Sequence, residues 1–581
     1  MPGHFLESLP PEGLFSISDY LEPDDRKNLS LANSGLRTAM APCLFKVLQI
    51  NCPLAEDHIL PTIVDKYGAN VLELRLNITF YPNEMPEKTE EESIEEEEEE
   101  SEDEPSDVDV SENQEDNGDE ESDHDSESEG VIEHYNEDDA EDDDEDKDSD
   151  SDSDAGLKWY WTNPPASVWA RKEEDTSIIR DLIQFKGLPR CRALTLHTNG
   201  EQDFEVDADW DNNDIANNYI YFCCEPEDWE EVKRKEERYS WRAALRDMYS
   251  DIATLSAVDD FTIQNFLPRK TSSWQEKEWP EFLGRLKKLT LNTYGGNNGA
   301  GWQANTLPGF HAFFNELPTT VLAHANALEY FKLKTHDDGF LGGEGSLYIP
   351  PGCMPSLRSL HVDGIAVTSV LKDYLKATNG TLSKLCVTEC VAFTSDPNGD
   401  DAPKWADLWR AARQALRAPA EVVCVPTKER PITEDEGDYY GDEVYVPPAD
   451  EDDKIKSWRR KVKEEEGLCI WPYGWLDEKY GSIYPDHEVN LERLENGEDN
   501  LEFKLLMDEV KRGGGKCTQQ MQCEPCRKRC NGAASTPATV SGTPIAACMI
   551  FNVKKTPISI TPIVVAELDD KVWYLIDNVA S

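Results

Sequence analysis

A short apolar pattern that recurs along the chain constrains the fold more than any other feature. Its spacing is apolar-x-x-apolar-x-apolar. The last two apolar residues of each copy are two positions apart, so on a β-strand both side chains point to the same face. The pattern therefore predicts a series of short strands that share one core. The copies are Val71-Leu74-Leu76, Cys191-Leu194-Leu196, Leu286-Leu289-Leu291, Leu328-Phe331-Leu333, Leu357-Leu360-Val362 and Leu382-Leu385-Val387.

Segments with helical spacing lie between some of these copies. One runs from Val370 to Leu375 and is followed by Gly380, and another runs from Ile178 to Ile183 and ends near Gly187. This alternation resembles a leucine-rich repeat, in which the residues between the two core positions face outward along the concave side. The copies are unevenly spaced, and a generic α/β domain with short buried strands is the alternative interpretation.

Residues 9–45 have the pattern of a three-helix unit. Pro23 breaks the first helix, and Asp24 or Asp25 can cap the second. A unit of about 40 residues is near the lower limit of independent stability, so we expect it to need a partner or a neighbouring domain. Its apolar side chains include Leu14, Ile17, Leu21, Leu29, Leu31, Leu36, Leu44 and Phe45.

This segment resembles the F-box, and with the repeats that follow it the chain is similar to fungal F-box proteins with degenerate leucine-rich repeats. Gly13, Ser18 and Arg26 depart from the family pattern, which usually has apolar residues there. The family pattern has a Leu-Pro pair, a helix, an Asp-containing turn, an apolar second helix and a late Leu-Phe pair. It is matched by Leu9, Pro10, Glu12, Leu14, Ile17, Tyr20, Leu21, Leu29, Leu44 and Phe45.

The resemblance implies a non-catalytic substrate-recognition adaptor of an SCF-type cullin ubiquitin ligase. The F-box would bind the linker subunit of the ligase, and through it a cullin, while the repeats would bind an unidentified protein substrate. The residues implied in linker binding are Leu9, Pro10, Leu14, Ile17, Leu21, Leu29, Leu31 and Leu36, some of which would serve the small core instead. The outward repeat positions expected to face the substrate are Arg75, Thr195, Thr290, Lys332 and His361.

Residues 84–154 hold much of the charge of the chain. They contain 40 acidic residues and two lysines, which gives −38 of the total net charge of −61. With so few large apolar side chains, this tract is predicted to be disordered. It is either a solvated insertion or a docking strip for basic proteins. A rival function is therefore an acidic scaffold or chaperone that binds basic proteins and uses the F-box for another partner.

The charge and the cysteines limit the partners and the compartment. A strongly acidic chain disfavours nucleic acid and anionic membrane surfaces. The sequence has neither a signal-peptide pattern nor a run of 18 apolar residues, so we expect no membrane span. Isolated cysteines in apolar contexts fit free thiols in the cytoplasm or nucleus. Examples are Cys191, Cys353, Cys386 and Cys390.

One cysteine cluster is a candidate metal site. Cys517, Cys523, Cys526 and Cys530 could supply four thiolates to a tetrahedral zinc ion. All four fall within a short segment, whereas structural zinc sites usually join two separate elements. The alternative is a flexible loop, and no other cofactor is expected. The sequence also lacks a Gly-x-Ser-x-Gly elbow, a His-x-x-x-His pair and a complete phosphate loop, so we expect no enzyme.

The predicted fold class is α/β, with a three-helix F-box, an irregular leucine-rich-repeat-like solenoid and a long disordered acidic insertion. The predicted divisions are the F-box at 1–50, a first repeat-like segment at 51–83, the acidic insertion at 84–154, the substrate domain at 155–425 and a partly disordered C-terminal region with the cysteine cluster at 426–581.

Overall fold

A parallel β-sheet of ten strands organises the computed structural model of the chain, which is α/β as predicted. The described residues belong to one compact unit, and the acidic tract at 84–154 lies outside them. They are 9–80, 165–198, 220–295, 304–335, 349–394, 404–424, 452–477 and 483–519, without the single positions 19, 22, 57, 221, 351 and 466.

Each strand of this sheet pairs in parallel with the next one of the sheet along the chain. The strands are β1 (Val47–Cys52), β2 (Glu73–Ile78), β3 (Ala193–Thr198), β4 (Asp260–Phe266), β5 (Lys288–Thr293), β6 (Tyr330–Lys334), β7 (Ser359–Asp363), β9 (Leu382–Thr388), β11 (Leu416–Cys424) and β14 (Lys516–Gln519). A smaller sheet, in the order β13-β12-β10-β8, consists of β8 (Ala366–Val367), β10 (Val391–Phe393), β12 (Tyr473–Leu476) and β13 (Ile483–Pro485).

Fourteen α-helices accompany the strands in the described part of the chain. They are α1 (Pro11–Ser18), α2 (Pro23–Leu31), α3 (Ser34–Leu44), α4 (Leu60–Tyr67), α5 (Glu173–Ile183), α6 (Trp229–Arg238), α7 (Ser240–Leu255), α8 (Glu278–Arg285), α9 (Pro308–Thr320), α10 (Ser369–Thr378), α11 (Trp405–Ala415), α12 (Asp453–Glu464), α13 (His487–Asn496) and α14 (Glu498–Arg512). Both helices expected from the spacing, α5 and α10, are present.

The two faces of the large sheet differ in chemistry. Because the strands are added in one direction and parallel crossovers are right-handed, the connecting helices lie on the same face. On β5, for example, Leu289 and Leu291 are buried, whereas Lys288 is exposed and Thr290 is half-buried. Most parallel sheets are covered on both faces and their strands are apolar throughout. Here one face is apolar and the other is lined by polar side chains.

The apolar face is built from the recurring pattern. All 18 side chains of the six predicted copies are between 0% and 4% exposed. Two further copies have the same spacing and were not recognised in the sequence. They end on β1 and β4, and Phe and Ile occupy positions where the recognised copies mostly have Leu. These copies are Phe45-Leu48-Ile50 and Val258-Phe261-Ile263, and all six of their side chains are buried.

The strands also start with a recurring backbone geometry. The N–H groups of Glu329 and Tyr330 both donate to the carbonyl oxygen of Lys287, at 2.8 and 3.0 Å. The carbonyl of Glu329 in turn accepts from Arg358 and Ser359. Such recurrence is expected where similar units stack on one another. The same pairing occurs from Leu72 and Glu73 to Lys46, Arg192 and Ala193 to Leu72, Lys287 and Lys288 to Asp259, and Ser383 and Lys384 to Arg358.

The N-terminal segment forms three helices, as predicted. The second helix starts at Pro23, so Asp24 and Asp25 lie inside its first turn and not at the capping position that the sequence suggested. Proline is favourable at this position because its fixed φ suits a helix and its missing N–H would have no helical partner. The cap of α3 is Asn33, whose Oδ1 accepts a hydrogen bond from the N–H of Leu36 at 2.8 Å.

The three helices lead directly into the sheet. Strand β1 begins at Val47, inside the stretch assigned to the helical unit at 1–50. Just before it, Phe45 stacks on Tyr67 of α4 with ring centroids 3.8 Å apart. The end of the helical unit therefore packs against the first strand-to-strand connection.

The sheet extends past residue 425, where the sequence suggested a boundary. Strand β14 pairs with β11, and α14 packs on α11. Glu502 of α14 forms ion pairs with Arg410 and Arg413 of α11, at 3.1 and 2.8 Å. Trp471 and Phe503 complete an aromatic cluster there. The acidic, proline-rich composition of the stretch before residue 452 suggested a domain boundary, although the sheet continues after it.

A buried ion network ties the chain before α6 to α7 and to the end of β4. Both carboxylate oxygens of Glu227 accept from the guanidinium of Arg242 at 3.0 Å, and Arg269 and Lys235 donate at 3.2 and 3.0 Å. Burial by itself raises the pKa of Glu227. The three cations, led by Arg242, outweigh burial and lower the pKa to about 2.

We predict that Glu227→Gln lowers the free energy of unfolding by about 3–5 kcal/mol at pH 7, because it leaves two buried guanidinium groups without their counter-ion. A depressed folded-state pKa stabilises the fold above the ordinary pKa of 4.5. The difference between wild type and variant should therefore shrink as the pH falls from 4.5 towards 2. Urea unfolding across this range measures it.

Glu230→Gln, at the start of α6, is the matched control, because the exposed Glu230 pairs with Lys233 only at the surface, at 3.4 Å. It should change the free energy of unfolding by less than about 1 kcal/mol. Equal effects of the two substitutions would contradict a structural role for the Glu227 network.

Candidate protein-interaction surfaces

The residues implied in linker binding differ in exposure. Leu14 and Leu36 are buried inside the three-helix unit and serve its core. Leu31, at the end of α2, is 42% exposed. The unit therefore leaves apolar surface uncovered within the described part of the chain. Of the remaining predicted residues, Pro10 is exposed, and Leu9, Ile17, Leu21 and Leu29 are half-buried.

The turn between α1 and α2 presents an aromatic side chain that was not among the predicted linker-binding residues. Tyr20 is 92% exposed, and its N–H donates to the carbonyl of Ile17 at 3.0 Å. Tyrosine adds a large rigid contact area at low entropic cost, which is why it is frequent in protein interfaces. Its match to the F-box pattern was the available signal in the sequence.

The three departures from the F-box pattern have local explanations. Ser18 is buried, and its Oγ has no hydrogen-bond partner among the described residues, which costs stability. Arg26 donates from Nε to the carbonyl of Leu21 at 3.0 Å and so holds the turn between the helices. A Cβ on Gly13 would meet its nearest neighbour at 3.8 Å, so the space there would accept alanine. Ser18 therefore points into the unit and not towards a partner.

The five positions expected to face a substrate lie in one row across the polar face of the sheet. Arg75 is in register with Thr195, Thr290 with Lys332, and Lys332 with His361. Thr262 of β4 lies between Thr195 and Thr290 and completes the row. Thr262 was not among the predicted positions, because the residues of β4 were not identified as a strand from the sequence. A role of this row in binding stays a prediction.

Most charged groups on this polar face are paired with one another. The oppositely charged groups of each pair lie between 2.6 and 3.8 Å apart. Such partly exposed pairs add little stability, but they cancel the local charge. The face is therefore close to neutral on a chain with a net charge of −61. The pairs are Glu73 with Arg75, Asp260 with Lys288, Lys332 with Asp363, and Lys384 with Glu421.

His361 and Cys386 are neighbours in register on this face, and both are held in their neutral forms. Burial lowers the pKa of His361 to about 3, and the positive charge of Lys332 acts in the same direction. Burial likewise raises the pKa of the Cys386 thiol to about 12. The pair therefore presents a neutral imidazole and a protonated thiol at neutral pH, which is not the activated state of a cysteine nucleophile.

Several other cysteines, among them Cys191, Cys353 and Cys390, are free thiols. Of those singled out in the sequence, Cys191, Cys386 and Cys390 are buried, and Cys353 is half-buried. Burial raises the pKa of Cys191 to about 11 and that of Cys390 to about 12. These groups behave as apolar core side chains.

The candidate zinc cluster is only partly within the described residues. Cys517 lies on strand β14 in register with Val422, and not in a loop. Cys523, Cys526 and Cys530 lie outside the described residues. Within those residues, no three His, Cys, Asp or Glu side chains are grouped closely enough to hold a metal ion. In the same part of the chain, every helix is too short or too polar to cross a membrane.

Comparisons of the chain with family models, with curated proteins and with solved structures each found no match.

The buried and exposed leucines of the three-helix unit should differ in their effect on stability. We predict that Leu36→Ala destabilises the unit by about 2–5 kcal/mol because it leaves a cavity. Leu31→Ala should change stability by less than about 1 kcal/mol, because 42% of this residue is already exposed to solvent. Hydrogen exchange of the amides of α1 to α3 measures both effects, since the unit can open locally. A loss of protection in Leu31→Ala as large as in Leu36→Ala would contradict this division.

Proposed function

We propose that this protein is a substrate-recognition adaptor of an SCF-type cullin ubiquitin ligase. Its F-box, residues 9–45, would bind the linker subunit of the ligase, and the polar face of a leucine-rich-repeat-like solenoid would bind a protein substrate. The observation that carries the proposal is a three-helix unit with uncovered apolar side chains, joined to a sequentially ordered parallel sheet. The chemistry of ubiquitin transfer would belong to other subunits.

The exposure of the helical unit supports the linker-binding half of this proposal. Leu31 and Tyr20 are exposed on a unit that buries only part of its apolar residues. The buried Ser18 hydroxyl adds a cost to this small core. A partner that covers the apolar surface would add the burial that the unit lacks, at roughly 25 cal/mol per Å².

The geometry of the sheet supports the substrate-binding half. The buried triplets and the repeated hydrogen bonds at the strand starts are properties of stacked repeats. Stacking leaves a continuous row of side chains on the face without helices, from Arg75 on β2 to His361 on β7. Repeat proteins use such extended concave surfaces to bind other proteins.

We predict that Leu31→Asp weakens binding to a purified fungal SCF linker subunit at least about ten-fold, because an interface would then bury an unpaired carboxylate. The matched control is Leu501→Asp on α14, since Leu501 is also an exposed helical leucine, at 55%. The control should bind as the wild type does. Titration with a labelled linker subunit measures both affinities. A wild-type chain that does not bind the linker, or equal effects of both substitutions, would overturn the adaptor proposal.

The Leu31→Asp variant also distinguishes the adaptor function from the acidic-scaffold function that residues 84–154 suggest. Deletion of residues 1–45 is a less clean test, because it also removes Phe45 and its stacking on Tyr67. If Leu31→Asp leaves the level and ubiquitination of every bound protein unchanged while basic proteins are still retained, the scaffold function replaces the adaptor. An adaptor requires that ubiquitination of its substrate falls.

A further inference from the structure

Beyond the ion pair of Asp260 with Lys288 at the starts of β4 and β5, the middle of the polar face has five neighbouring side chains that carry no charge. We call this region the neutral centre. It spans three adjacent strands, β3 to β5, which corresponds to a width of about 10 Å. Its five residues are Thr195, Thr262, Gln264, Thr290 and Asn292, and all of them are polar.

Part of the hydrogen-bonding capacity of the neutral centre is already used. Thr195 donates from Oγ1 to Glu73 at 2.9 Å, and Asn292 donates from Nδ2 to Oε1 of Gln264. The hydroxyl groups of Thr262 and Thr290 form no hydrogen bond to the described residues, and both side chains are half-buried. A ligand on this surface would remove the remaining water from these hydroxyls. It must therefore offer them hydrogen bonds, since an unsatisfied hydroxyl costs about 1–3 kcal/mol.

The flanks of the neutral centre do not attract a charged ligand strongly. On one side, Glu73 is paired with Arg75. On the other side, Lys332 pairs with Asp363, with 3.8 Å between the Nζ and Oδ2 atoms, and Lys334, in register with Asn292, has a partner as well. An acidic or basic side chain that entered the centre would lose water without gaining an unpaired counter-ion. An apolar side chain would leave the hydroxyls of Thr262 and Thr290 without partners.

We infer that the neutral centre binds an extended protein segment with uncharged polar side chains, namely Ser, Thr, Asn or Gln. The matching chemistry is neutral on both sides, with hydroxyl and amide groups that donate and accept. A width of about 10 Å accommodates about three residues of an extended chain. This inference rests on the proposed function, because it names the class of substrate segment that the repeat face takes.

The test uses the full chain and three immobilised pools of random peptides: uncharged polar, acidic and basic. The uncharged polar pool should retain the protein most strongly. Its apparent affinity should change less than about two-fold between about 50 and 300 mM salt, because no net charge is neutralised on binding. Preferential retention on the acidic or basic pool, with a steep salt dependence, would overturn the inference. So would a failure of all three pools to retain the protein.

A pair of threonine variants locates the binding surface. Thr290→Ala should weaken retention on the uncharged pool about three- to ten-fold, the range for one hydrogen bond between neutral groups. Thr319→Ala is the matched control, because Thr319 is exposed on α9 and its hydroxyl donates to the carbonyl of Glu316 at 2.8 Å. It should bind as the wild type does, and both variants should melt at the wild-type temperature. Equal losses, or no loss in Thr290→Ala, would place binding elsewhere.

Linker binding is measured on the same preparation, so that the two proposals can fail separately. Intact linker binding without preference for the uncharged pool rejects only the neutral centre as the substrate site. Preference for the uncharged pool, without linker binding, rejects the ligase adaptor and leaves a polar peptide-binding face.

Discussion

The fold depends on apolar side chains that no single repeat can bury by itself. Each unit contributes two core residues from its strand and one from the turn before it, such as Leu360, Val362 and Leu357. These three side chains become inaccessible to water only when neighbouring strands and the helix layer surround them. Because the strands follow one another in one direction, burial of one face leaves the opposite face without helices in the described part of the chain. The polar row on that face is thus a direct consequence of how the core is covered.

This dependence explains how much could be predicted from the sequence. The repeated spacing identified six strands, because its apolar positions report burial directly. Strand β4 was not predicted although Val258, Phe261 and Ile263 have the same spacing, because this copy contains no leucine. The five proposed surface positions fell in one row for a geometric reason. They occupy the same place in equivalent repeats, so recognition of the repeat also fixed their alignment.

Other features depend on residues that are far apart in the chain, and local patterns do not report them. Glu227 meets Arg269 only after the chain before α6 has been placed beside the end of β4. The same is true of Arg410 and Glu502, which join helices on either side of the acidic stretch before residue 452. The neutral centre also escaped prediction. Its charge balance depends on cross-strand pairs such as Asp260 with Lys288, and the register of the sheet brings these residues together.

The uneven distribution of charge along the chain affects both proposed binding surfaces. Much of the net charge of −61 comes from residues 84–154, whereas the polar face pairs its own charges. Long-range repulsion from an acidic chain is screened beyond about 8 Å at physiological salt. Within that distance, the local groups decide which ligand is accepted. A face that is neutral at close range can therefore select by hydrogen bonding, and the apolar surface near Leu31 can select by burial. Neither surface needs the acidic tract for its specificity, so that tract can serve a separate purpose in the same chain.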